Sequence, residues 1–359
     1  MRQQAIEEGA LAEGLRSILI HMDRNTAAFY HDPPMWFGSS PAGFADVNQT
    51  PDFDSFRTAV VQRNLGNGIE VKVTTEGLIG FNFAAWEPGI LPEESDLTEG
   101  GFEQQAQRIV RRTQVMNSFL AFLYTNGHAI HQRAYHRMVV TPELVIPMQG
   151  LDNQGMSFGN STVAHLAMSS FPSTYPVGTP PLFDNRLLTR GEPIPVEVID
   201  RTVSDLDDLM TRHPEDGIVL LDLFLRATKA HQDHNHNAAV IGYWAVCEKL
   251  VNELWQQYLA DNRERDGEVF ISRKRKETLD DGRSFTASVM IEMLSFASRI
   301  DFDLYNKLSQ VRKARNGWMH ALKDITVDDA RTAGKASEEL LKQVRGVTVS
   351  SVTPLRTHG

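Results

Sequence analysis

Cysteine is almost missing from this chain: Cys247 is the single copy in 359 residues. One thiol cannot close an intrachain disulfide, and it cannot build a metal centre from cysteine ligands. Long apolar runs are missing too. No stretch reaches the roughly 18 consecutive apolar residues of a spanning helix, so no membrane contact is expected. Met1 to Arg16 carries Arg2, Glu7, Glu8 and Glu13 where a secretory signal needs an apolar core, and a cytoplasmic location is expected. Internal repeats and low-complexity tracts are absent. Positive charge is in deficit, with 36 Lys and Arg against 46 Asp and Glu. That balance excludes a surface that is basic throughout, but a local basic patch can still bind nucleic acid.

What is present is the composition of a globular protein. Hydrophobic residues at 41% and charged residues at 23% exclude wholesale disorder. The length exceeds one ordinary compact domain, so two are expected. Residues 1–195 read as a mixed α+β domain with a sensor or regulatory role. Strands are expected at Gly68–Lys72 and Leu78–Phe83, the pair joined through Thr74-Thr75-Glu76-Gly77. Phe102–Tyr124 has the spacing of a long amphipathic helix, and Val139–Met148 reads as strands interrupted by Pro142 and Pro147. Residues 149–195, rich in Gly, Ser, Pro and Asn, read as loops.

The pattern changes after Pro195. Residues 196–348 read as an all-α antiparallel helical bundle, with 349–359 as a tail. Ser204-Asp205-Leu206-Asp207 has the form of a capping box opening a helix that ends near His213-Pro214. Further helical periods run over 216–231, 236–259, 284–300, 302–322 and 327–345. The stretch 263–320 holds 12 Lys and Arg against 9 Asp and Glu, a balance of +3 inside an acidic chain.

Chemistry concentrates on the helix at 302–322. Leu304, Leu308, Val311, Arg315, Trp318 and Leu322 recur at steps of three and four, so Arg315 is the charged member of an apolar seam. Ser309, Arg312, Asn316, His320 and Lys323 form an adjacent polar stripe. Arginine grips phosphate through a rigid fork of donors, and histidine moves a proton near neutral pH. On the helix at 236–259, Ile241, Trp244, Ala245, Val251 and Trp255 mark an apolar stripe with Glu248 among them. A carboxylate buried there needs a partner, so Glu248 is expected to pair with Arg315.

In order and spacing, the helix bearing Glu248 followed by Arg315-Asn316-Gly317-Trp318-Met319-His320 resembles the HEPN superfamily, whose signature is Arg-Asn-x-x-x-His. The resemblance covers residues 200–346, less than half of the chain. Active HEPN proteins are metal-independent ribonucleases, so no metal and no cofactor is expected. The resemblance implies a homodimer whose cleft takes Arg315, Asn316 and His320 from both chains, with Glu248 in support and RNA as substrate. Products with a 2′,3′-cyclic phosphate and a 5′-hydroxyl are implied. Arg312, Lys313, Lys323 and the run Arg273-Lys274-Arg275-Lys276 are expected to hold flanking phosphates. Toxins and antiviral-defence effectors have such architectures, with an extra domain answering to a trigger. HEPN toxins neutralised by a nucleotidyltransferase carry a Tyr two residues past the His, and Leu322 stands there instead. The alternative is a catalytically inactive HEPN-like module for dimerisation and RNA binding.

Other signals are weaker. His231, His234 and His236 have nitrogen ligands for zinc, but Asp233 or Asn235 reads there as a helix cap. Gly155-Met156-Ser157-Phe158-Gly159 matches a nucleophile elbow, with His165 beyond it, yet lacks the preceding strand that an elbow needs. His128, His131 and His136 have no ligand spacing. Cys247 reads as a small core residue. The aromatic and proline-rich stretch Phe29–Phe44 reads as a core cap or a recognition surface.

Overall fold

The computed structural model describes residues 25–31, 35–39, 58–75, 77–87, 99–133, 135–148, 151, 193–214, 216–265 and 268–352. They form two compact units. One takes the chain up to Phe119 together with Asn126–Pro214, and the other takes Leu120–Thr125 with Glu215 onward. No helix among the described residues is long and apolar enough to cross a membrane.

The first unit is α+β. Strands β1 (Thr26–Tyr30), β2 (Ala59–Asn64), β3 (Glu70–Thr74), β4 (Leu78–Asn82) and β5 (Ile146–Met148) form one antiparallel sheet in the order β2-β3-β4-β1-β5. Thr75 and Gly77 lie in the turn of the β3–β4 hairpin, with the Gly77 amide donating to the Thr74 carbonyl at 3.0 Å. Gly68 belongs to the preceding turn rather than to the strand expected at Gly68–Lys72, because its φ of +91° is left-handed. Pairing of Val71 with Phe81 and of Val73 with Ile79 sets one apolar face. Helix α1 (Glu99–Ile130) lies on it, Phe119 meeting Phe81 edge-on at 5.9 Å. Asn117 of α1 then holds the chain ahead of β5 by accepting from the Val140 amide at 2.7 Å and donating to its carbonyl at 3.0 Å.

The opposite face carries Lys72, whose buried ammonium donates to the Leu151 carbonyl. Its cross-strand neighbour is Gly80, where a Cβ would stand 2.7 Å from Leu151 Cδ2. Glycine is needed there for space. Trp36 and Phe37 are buried, so the described part of Phe29–Phe44 serves the core rather than a recognition surface.

Helix α2 (Val196–Arg212) belongs to this unit, so the division falls at 214/215 and not at the expected 195/196. Arg63 of β2 donates to Ser204 at 2.7 Å and to Asp200 at 3.1 Å, and the Gly66 amide donates to Asp207 at 2.7 Å. The expected capping box at Ser204–Asp207 is therefore not a cap. Both residues lie mid-helix, and the Ser204 hydroxyl bonds back to the Asp200 carbonyl at 2.8 Å. The helix starts earlier because Val198, Ile199, Val203 and Leu206 already form its buried stripe.

The second unit is helical: α3 (Gly217–Gln232), α4 (His236–Asp261), α5 (Arg273–Leu279), α6 (Ala287–Phe296), α7 (Phe302–Ala321) and α8 (Val327–Arg345), with a two-stranded hairpin of β6 (Glu264–Arg265) and β7 (Glu268–Val269) ahead of α5. Helix α4 is central and packs on α3, α6, α7 and α8. Asn235 caps it, accepting from the Ala238 amide at 3.2 Å, and Thr326 with Asp329 forms a true capping box on α8. Trp255 stacks between Tyr258 and Phe285 at 5.6 and 5.5 Å and anchors its indole N–H on the Leu279 carbonyl.

Candidate functional site

Helix α7 begins at Asp301, whose side chain accepts from the Leu304 amide at 2.8 Å. Leu304, Leu308 and Val311 are buried and fix the helix in the bundle. Beyond Val311 the same stripe leaves the core: Arg315 and Trp318 are half-buried, and Leu322 is 74% exposed. Gln310 donates to Asp329 at 3.0 Å and Lys307 to Glu339 at 2.5 Å, which ties α7 to α8.

At the C-terminal end the expected trio shares two turns. Arg315 Nη1 donates to Asn316 Oδ1 at 3.0 Å, both side chains half-buried. His320 is exposed one turn further on, beside Met319 at 52% exposure. Leu322 closes the helix in a left-handed conformation, φ 49°, with its amide on the Trp318 carbonyl and that of Lys323 on the Gly317 carbonyl. Lys313 and Lys323 are exposed and Arg312 is half-buried.

The expected pairing of Glu248 with Arg315 is not made. Glu248 is exposed and forms no hydrogen bond or ion pair with any described residue. The helical phase explains this. The buried side of α4 is Val240, Tyr243, Trp244, Cys247, Leu250 and Val251, whereas Ala245, Glu248 and Asn252 face water with Ile241. An exposed carboxylate has no burial cost to offset, so nothing draws it to Arg315.

The polar stripe runs further back than Ser309. Tyr305 donates its hydroxyl to Glu292 of α6 at 2.8 Å, and its ring stacks on Phe302 at 5.8 Å with 16° between the planes. The bond to Glu292 raises the phenol above its ordinary pKa. The spacing of Phe302 and Tyr305 ahead of Ser309 carried this signal in the sequence.

The basic run of α5 stands apart. Arg273, Lys274, Arg275 and Lys276 are all exposed, with Arg275 placed 4.3 Å over the Phe270 ring. Among the described residues no bond joins them to Arg315, Asn316 or His320. At the α3–α4 turn the rings of His231 and His234 lie 5.7 and 6.0 Å from that of His236. Burial and then the charge of His234 hold His236 below its ordinary pKa. No group of three or more His, Cys, Asp or Glu among the described residues is gathered as for a metal ion. Gly155–Gly159 and His165 lie outside the described residues. Comparison with protein-family models, with curated proteins and with solved structures returns no match to this chain.

Proposed function

We propose that the chain is a metal-independent endoribonuclease acting as a homodimer through Arg315, Asn316 and His320. The observation that carries this reading is the end of α7: an Arg315–Asn316 pair bonded at 3.0 Å, an exposed His320, and uncovered apolar side chains at Met319 and Leu322 around it. Cleavage by the 2′-hydroxyl forms a P–O2′ bond and breaks P–O5′. It needs a base to take the 2′ proton and an acid to protonate the departing 5′ oxygen. One chain supplies one imidazole at this site, and a two-fold axis supplies the second. Arg315 stabilises the charge that builds on the phosphoryl oxygens, and Asn316 holds the guanidinium in place. Covering Met319 and Leu322 at the dyad removes apolar surface from water and favours the dimer.

The resemblance to HEPN effectors supports a role as a toxin or antiviral-defence nuclease restrained by the first unit until a trigger binds. The test is incubation of the purified full chain with total RNA in EDTA. Cleavage to cyclic-phosphate ends, lost in His320→Ala and Arg315→Ala, is the expected result. RNA that is bound and left intact would assign the chain to the non-catalytic dimerisation module instead.

A further inference from the structure

Phe302 and His320 are eighteen residues apart on one helix (320 − 302). At about 3.6 residues per turn and 1.5 Å per residue, that is five turns and about 27 Å, so the two share one line parallel to the axis. Tyr305, Ser309, Arg312 and Asn316 fall along the same face at steps of three and four. Phe302 is 72% exposed, and the ring of Tyr305 lies beside it with 16° between the planes. Tyr305 is itself held by Glu292, so the pair is an anchored aromatic platform whose Phe302 ring is largely open to water.

We propose that this pair is a base-stacking subsite for single-stranded RNA, set several nucleotides away from the phosphate held at Arg315 and His320. It rests on the ribonuclease reading for the polarity of the track, but its binding chemistry stands on α7 alone. An aromatic face exposed to water at the head of a ridge that carries Arg312, Lys313 and Lys323 matches what an unpaired strand offers. Bases stack on the ring while the following phosphates meet the cations. Sequence discrimination is not expected, because every base has a π-face. A strand too short to reach from His320 gains nothing from it.

The experiment uses the full chain carrying His320→Ala, so that bound RNA stays intact, and measures affinity by fluorescence anisotropy. Two probes are used, a single-stranded octanucleotide and a dinucleotide. Adding Phe302→Ala is expected to weaken the octanucleotide by about tenfold and leave the dinucleotide unchanged, while Phe302→Trp retains the affinity. Unchanged octanucleotide affinity in Phe302→Ala overturns the proposal. So does equal loss for both probes, and so does the absence of RNA binding by the parent. A change of oligomeric mass on Phe302→Ala with RNA affinity intact would assign the ring to a protein contact and also overturn it. Cleavage by the chain with His320 intact is scored separately. Binding as described without cleavage keeps the platform and refutes the nuclease, whereas cleavage with no effect of Phe302→Ala does the reverse.

Discussion

Arg345, in the last turn of α8, donates to the carboxylate of Asp216, the residue that precedes α3, across 2.8 Å. Glu253 and Lys249 of α4 complete the group, Arg345 reaching Glu253 at 2.5 Å and Lys249 reaching Asp216 at 3.3 Å. Three helices of the bundle are thereby tied at one end.

This tie makes stability depend on acid. Burial pushes the Asp216 carboxyl up, and the bonds and charges of Arg345 and Lys249 outweigh it, leaving the pKa below its ordinary 3.8. A depressed folded pKa stabilises the fold at pH above the unfolded value, and the contribution fades as pH falls through the folded one. Asp216→Asn is expected to cost about 1 kcal/mol at neutral pH, since part of the side chain remains in water. It is also expected to flatten the loss of stability below about pH 4. Urea melts from pH 3 to pH 7 check both, and parallel curves for the two proteins would refute the assignment.

Cys247 is fully buried, and burial pushes its thiol up to about 12 despite the contact with Ser337 at 3.3 Å. The thiolate that reacts with alkylating agents is therefore scarce and shielded in the native state. Modification by a chromogenic disulfide reagent is expected to be negligible in buffer and to appear with the unfolding transition in denaturant. Rapid labelling of the native protein would contradict this.

Two helices end in the same left-handed turn, α7 on Leu322 at φ 49° and α8 on Gly346 at φ 66°. Glycine adopts this conformation at no steric cost, whereas a side chain crowds its own carbonyl. Leu322→Gly is expected to raise stability by about 1 kcal/mol and Gly346→Ala to lower it by a similar amount. Thermal melts of the two variants at low protein concentration should move in opposite directions.

Glu248 makes no bond in the bundle, so Glu248→Gln should shift stability by less than about 0.5 kcal/mol. Under the proposed ribonuclease activity it should leave RNA cleavage within a factor of about two, while Asn316→Ala, which removes the acceptor for Arg315, reduces cleavage by about a hundredfold. A large loss in Glu248→Gln would place that carboxylate in the proposed dimer cleft.

Much of the bundle was legible because its signals are local. Asn235, Asp301 and Thr326 cap helices at the positions their periods require, and 327–345 is bounded by Thr326 and Gly346. The Thr75–Gly77 turn was legible for the same reason. Strand β2 was not, because a register shift between Ala59 and Val61 interrupts the alternation of apolar and polar residues along it. Ser204–Asp207 misled because a cap and a mid-helix serine bonded to the residue four before it look alike until the partner, here Arg63, is known. At Glu248 the apolar stripe was placed too close to Ile241 and Ala245. A rotation of α4 by about one residue moves a carboxylate from seam to solvent, and composition alone does not fix that phase.

The interior of the bundle contains a thread of polar atoms: Tyr243 donates its hydroxyl to Thr228 at 2.9 Å, and Ser337 reaches the Tyr243 carbonyl at 3.2 Å and the Cys247 thiol at 3.3 Å. A contact made only of aliphatic side chains would tolerate slippage of α8 along α4 by a turn, about 5.4 Å. Here such a slide breaks the Ser337 contacts to Tyr243 and Cys247, while the Ser337 hydroxyl keeps its bond to the Ala333 carbonyl on its own helix at 2.9 Å. The observed alignment is the one that keeps both cross-helix contacts of Ser337. Because α7 is fastened to α8, the height at which Arg315 and His320 emerge is coupled to the seating of a serine deep in the core.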